Sequence, residues 1–189
     1  MSDAQFESYN GIRVTARDAE FLADCHGYAN VGALAVDLPP SAKVIDVGAG
    51  ISKLGLEITG IRPDIAWTNI DQAYENDDLI KNQLTEARTN LSFVAARAQD
   101  LNMLAPNSID MVFSYWCLPH ILMNDPEQAR IAVKRMYAVT KIGGRLSIGP
   151  LARNLRPRRT IIATKSANAE ADTFADSVLT DIHKIFRFS

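Results

Sequence analysis

Residues 43–57, Lys-Val-Ile-Asp-Val-Gly-Ala-Gly-Ile-Ser-Lys-Leu-Gly-Leu-Glu, constrain the fold more than any other stretch of the chain. Val44, Ile45 and Val47 make an apolar run of strand length. Gly48 and Gly50 then break it, and Leu54, Leu56 and Ile58 open a helical pattern. A strand, a glycine turn and a helix in that order form the repeating unit of parallel α/β sheets. The turn lies at the carboxyl end of its strand, where such sheets bind ligands.

Spacing narrows the ligand. A dinucleotide fingerprint, G-x-G-x-x-G, needs a third glycine at position 53, where the chain has Lys53. The P-loop pattern, G-x-x-x-x-G-K-[ST], fails there as well. Asp46 stands inside the strand, two places before the first glycine. A carboxylate in that position suits a positively charged ligand better than a pyrophosphate.

The rest of the chain repeats the alternation. Strands are predicted at Lys43–Val47, Ala66–Asp71, Leu91–Arg97, Ile109–Tyr115 and Gly144–Ile148, with helices near 53–60, 73–88 and 126–140. Asp125-Pro126 reads as a helix start and Gly143-Gly144 as a stop. The first forty residues carry no strand pattern. Asp18–Tyr28 and Val31–Asp37 read instead as short amphipathic helices, closed by Pro39-Pro40. Ala167–His183 reads as a helix, Thr160–Thr164 as a candidate strand, and Lys184–Ser189 alternates like a strand. The expectation is one domain over 1–189, divided into a helical cap (1–40), a binding core (41–150) and a C-terminal extension (151–189).

Five motifs in order resemble the class I (Rossmann-like) S-adenosylmethionine-dependent methyltransferases over residues 40–150. Val44–Gly50 is similar to that family's first motif, with Ser52 in place of its third glycine. Trp67–Asp71 is similar to the second, Ala98-Gln99-Asp100 to the third, Ile109–His120 to the fourth and Ile142–Gly149 to the fifth. The resemblance implies a doubly wound, mostly parallel sheet under an N-terminal helical cap, with a C-terminal β-hairpin, full or shortened. It also implies S-adenosyl-L-methionine as cofactor. Asp46, Gly48, Ala49 and Gly50 would then line the cofactor, and Asp71 and Gln72 would meet its ribose, for which a carboxylate is a bidentate acceptor. Asp71 has a second reading as a helix N-cap. Ala98 and Gln99 would meet the adenine, with Arg97 standing where the family commonly has Asp. The Ser114 carbonyl would accept from the cofactor amine, and Tyr115 and Trp116 would flank the sulfonium.

Net charge is −2, which predicts neither nucleic-acid binding nor membrane attachment. It is unevenly spread: residues 1–133 hold 9 Lys/Arg against 18 Asp/Glu, net −9, and 134–189 hold 11 against 4, net +7. Cys25 and Cys117 lack metal-ligand spacing and fit a reducing, cytoplasmic setting; no metal site is expected. No stretch approaches the ~18 apolar residues of a membrane span.

Methyl transfer from a sulfonium needs alignment and exclusion of water more than a catalytic residue. If the acceptor needs a base, His120 is the candidate, just past the fourth strand; a structural histidine is the alternative. His26 is a weaker candidate, and His183 has no evident role. Cys117 precedes Leu118-Pro119 rather than following a proline, so it reads as a small buried hydrophobe and not a nucleophile. Arg153, Arg156, Arg158 and Arg159 could hold an anion, and Tyr9 and Arg13 could reach a cofactor carboxylate. Three functions follow: methyl transfer to a small molecule, methyl transfer to RNA or protein through the arginine cluster, and a non-catalytic cofactor-binding subunit.

Overall fold

A computed structural model describes the backbone at residues 6–9, 12–75, 88–149 and 160–186, with side chains for 18–75, 88–149 and 160–182. The central strand is β3 (Lys43–Val47), preceded by β1 (Phe6–Tyr9), β2 (Ile12–Arg17), α1 (Ala19–Cys25) and α2 (Val31–Asp37). After it come β4 (Ile51–Ser52), α3 (Leu54–Ile61), β5 (Ala66–Ile70), β6 (Leu91–Val94) and β7 (Ile109–Tyr115). The chain continues with α4 (Cys117–Asn124), α5 (Pro126–Val139), β8 (Thr140–Gly149), β9 (Ile161–Thr164) and α6 (Ala171–Phe186). The main sheet has the order β6-β5-β3-β7-β8-β9, parallel throughout except for antiparallel β9. This is the mixed, mostly parallel sheet that the alternating pattern predicts.

Both faces of the sheet are covered, which is why β3 and β7 read as nearly unbroken apolar runs. Ile45, Val47, Ile70, Val112, Leu146 and Ile148 share a core with α5 and α6. The alternate residues Val44, Trp67, Met111, Phe113 and Tyr115 pack beneath α1, α2 and α3. Helix starts follow local chemistry. Asp18 and Asn30 cap α1 and α2 through their side chains, and Asp125 caps α5 ahead of Pro126.

The N-terminus departs from the sequence expectation. β1 and β2 form an antiparallel hairpin where no strand is predicted, and β2 pairs in parallel with the two residues of β4. The hairpin joins β4 through Ala16 and Arg17, which meet Ile51 and Ser52 more than thirty residues away. At the other end, residues 184–186 continue α6 rather than forming a strand. Gly143 and Gly144 do not end a helix either. α5 stops at Val139, the Thr140 hydroxyl donates back to the Met136 carbonyl at 2.7 Å, and the glycines lie in the irregular start of β8. Of the helix predicted at 73–88, only a 3-10 turn at Gln72–Glu75 falls within the described residues. Among the described residues, no helix is long and apolar enough to cross a membrane.

Candidate functional site

The carboxyl ends of β5, β3 and β7 meet at the glycine turn. Gly48 and Gly50 both have positive φ, 72° and 53°. The N–H groups of Gly48 and Ala49 both donate to the Ile70 carbonyl, at 2.8 and 3.3 Å, which pins the turn to β5. Asp71 closes it: Oδ2 accepts from Gly50 N at 2.9 Å and Oδ1 from Ala73 N at 2.9 Å. The Ala73 bond is the cap expected of Asp71, and the same carboxylate faces the glycines through Gly50. Tyr74 donates its hydroxyl to the Gly50 carbonyl at 2.6 Å. The Gly50 residue is therefore held at both its N–H and its C=O.

Asp46 lies in register with Asn69 on one side and Phe113 on the other, and is 4% exposed. Burial pushes its carboxyl up to about 7, the nearby Asp71 charge adds to the rise, and the Ser52 hydroxyl opposes it. Burial raises Asp71 too, against its two backbone hydrogen bonds. Among the described residues neither carboxylate has a Lys, Arg or His ion-pair partner. Asn69 Nδ2 and Ser114 Oγ are buried without hydrogen-bond partners. Asp46 buried and Asp71 half-buried leave carboxylate lone pairs for donors or positive charge, while the unpaired Asn69 amide N–H and Ser114 hydroxyl are left for acceptors.

Gly48 has a reason to be glycine other than close approach of a ligand. A Cβ there would fall 2.4 Å from the Cys117 Cβ, so the start of α4 packs directly on the turn. Burial, followed by the Asp71 and Asp46 charges, pushes the Cys117 thiol up to about 12, far from thiolate at neutral pH. Among residues not singled out from sequence for the site, Tyr74 is the main addition. Its position three residues after Asp71, within one helical turn, is the signal that could have marked it.

The remaining predicted residues scatter along the same edge. Ala98 is buried and Gln99 half-buried at the start of a 3-10 turn beyond β6, while Gln72 is exposed. Arg97 makes a 3.6 Å ion pair with Asp100. Trp116 follows β7, half-buried, with the exposed His120 one turn on and their rings 6.1 Å apart. His26 lies elsewhere, buried under α1, where Nδ1 and Ser147 Oγ are 2.7 Å apart and burial lowers the imidazole to about 3. The side chains of Tyr9 and Arg13, and all of 150–159 with its arginine cluster, lie outside the described residues. No group of three or more His, Cys, Asp or Glu able to hold a metal occurs among the described residues.

A family model described as a methyltransferase domain matches residues 45–148, from the centre of β3 to the end of β8. The chain belongs to the methyltransferase-domain family. This family uses S-adenosylmethionine as cofactor. The methyltransferase fold recurs in the YcgJ protein of Bacillus subtilis, with 21% identity and a TM-score of 0.50 over 62% of this chain and 48% of that one. A Bordetella parapertussis protein described as exported has 21% identity and a TM-score of 0.51, over 66% of this chain and 41% of that one. A Nostoc punctiforme protein described as an O-methyltransferase has 16% identity and a TM-score of 0.51, over 66% and 37%. The chain thus spans less than half the length of each of these structures. No curated protein sequence is significantly similar to it.

Proposed function

We propose that this methyltransferase-domain protein transfers a methyl group from S-adenosylmethionine to a small-molecule acceptor. The observation that carries the reading is a pair of carboxylates, Asp46 buried and Asp71 half-buried, set around a tied-down glycine turn with no basic partner among the described residues. When bound, the cofactor supplies a methyl group on a positively charged sulfur that is already a good leaving group. The chain's own contribution is placement. Asp71 has lone pairs beyond the two it uses for Gly50 and Ala73, and these suit a ribose diol. Asp46 offers negative charge beneath the turn. Ala98 and Gln99 would meet the adenine, and Ser114, one residue before the end of β7, would meet the methionine end of the cofactor. Where the acceptor carries a proton that must leave, His120 is the base at the rim.

Calorimetry with S-adenosylmethionine and S-adenosylhomocysteine tests this directly. The expected result is binding of both, lost or weakened at least about tenfold in Asp71→Ala, the factor that about 1.4 kcal/mol gives. Absence of binding by the intact protein would overturn the cofactor site. Binding without turnover against small-molecule extracts would favour the non-catalytic subunit. RNA binding that weakens steeply from low to moderate salt would favour the arginine-cluster reading.

A further inference from the structure

Asp46 is an acid without a counter-charge. It is buried near the carboxyl end of β3, and the elements around it bring no cation. β7 sets Phe113 beside it in register, and beyond that ring lies His26, bonded to Ser147 and kept neutral by burial. β5 sets Asn69 on the other side, but that amide is committed elsewhere. Its Oδ1 accepts from Trp67 Nε1 at 2.8 Å, and its Nδ2 makes no hydrogen bond. From β4 the Ser52 hydroxyl favours the ionised form. The remaining titratable neighbours, Asp71 after β5 and the Cys117 thiol of α4, add no positive charge. No Lys or Arg among the described residues pairs with Asp46.

Two carboxylates at one turn, the deeper one cut off from water and neither compensated, resist carrying charge together. The empty site therefore keeps a proton on Asp46 up to about neutral pH, in line with a carboxyl raised to about 7. A cationic ligand reverses the balance, because attraction across a poorly solvated site favours the carboxylate. S-adenosylmethionine brings a sulfonium and an ammonium against a single carboxylate. S-adenosylhomocysteine keeps the ammonium and the carboxylate but has lost the sulfonium charge.

We propose that Asp46 is a proton-linked charge sensor: protonated in the empty site, it gives up that proton when S-adenosylmethionine binds, so that donor is favoured over demethylated product more strongly as pH rises. The inference rests on the methyltransferase reading and adds how the same site is regulated. One proton leaves to solvent as one net positive charge arrives, so the buried site stays close to neutral in both states. In acid the carboxyl keeps its proton, and the preference for the donor fades.

Calorimetry of both ligands from pH 5.5 to 7.5, in buffers of different ionisation enthalpy, counts the protons released. That range ends below the ~7.7–8.0 at which an α-amino group titrates. Affinity for S-adenosylmethionine is expected to rise about tenfold across it, with most of one proton released per ligand at pH 6. S-adenosylhomocysteine should release less and gain under about threefold, having one positive charge fewer. Asp46→Asn imitates the protonated acid. It should release no proton and hold, at every pH, close to the affinity the unaltered protein shows at pH 5.5. Histidine is the other side chain that commonly gives up protons near neutral pH, so His120→Gln is the control and should keep the release. Proton release by Asp46→Asn, its failure to bind where the unaltered protein binds at pH 5.5, loss of release in His120→Gln, or equal release with both ligands would overturn the proposal. Failure of the unaltered protein to bind either ligand would instead overturn the methyltransferase reading.

Discussion

Asp46 is held where its own charge is costly. Its carboxyl is raised from 3.8 to about 7, so between those values the folded chain holds a proton that the unfolded chain has released. Stability of the ligand-free protein therefore falls as pH rises through that window, at up to about 1.4 kcal/mol per unit. Asp46→Asn should raise Tm at pH 8 and flatten that slope while weakening S-adenosylmethionine; a Tm unchanged at pH 8 would contradict the buried charge. His26 has the opposite sign. Its imidazole is lowered from 6.5 to about 3, so the unfolded chain takes up the proton first and stability falls as pH drops below about 6.5. His26→Leu should remove that part of the acid slope in thermal unfolding between pH 4 and 7. At this scale the sequence was partly legible. Asp46 and Asp71 were marked by their distance from the glycines, because a turn is a local structure. Tyr74 on Gly50 and Cys117 on Gly48 were not, because each contact joins segments that only the folded sheet brings together.

The contact between the turn and α4 makes a sharp prediction for a single methyl group. Gly48→Ala places a Cβ 2.4 Å from the Cys117 Cβ and 2.8 Å from its sulfur, at a backbone φ of 72°. A loss on the order of 2–4 kcal/mol is expected in denaturant unfolding. Adding Cys117→Gly should recover part of it; no recovery would place the strain in the backbone rather than in the contact. Elements were legible in proportion to how much of their stabilisation is local or comes from simple burial. β3, β7 and α5 match their predicted bounds to within a residue, being long apolar or capped runs. β1, β2 and β4 were missed: short and mixed, they are strands because they pair with one another. α4 was missed because its eight residues contain Pro119 and begin straight after a strand.

Across the whole molecule, the positive excess of 134–189 is partly met by acidic residues earlier in the chain, Lys141 by Asp110 and Arg145 by Asp37. Arg130 reaches Asp172 at 2.6 Å and Asp176 at 2.9 Å, Lys134 also reaches Asp172, and together they join α5 to α6 on an exposed face. Lys165 is used differently. Its Nζ donates to the Tyr137, Ala138 and Thr140 carbonyls and to Asn107 Oδ1, closing the end of α5 against the segment after β9. Lys165→Met should cost on the order of 1–3 kcal/mol in chemical denaturation, because several carbonyls lose a charged donor at once. Arg130→Ala should move Tm by only about 2 °C or less, shrinking further with added salt. The reverse ranking would show that the surface pairs, not the helix end, secure the C-terminal region.

Chain order gives the N-terminal sheet a consequence for synthesis. Its last member, Ser52, is made before any partner of β3, whose neighbours begin at Ala66 and Ile109. At roughly 5–20 residues per second, Ile51 can meet Ala16 several seconds before Met111 exists to meet Val44. The N-terminal hairpin can therefore pair with the segment just past the glycine turn before the strands that flank β3 are available.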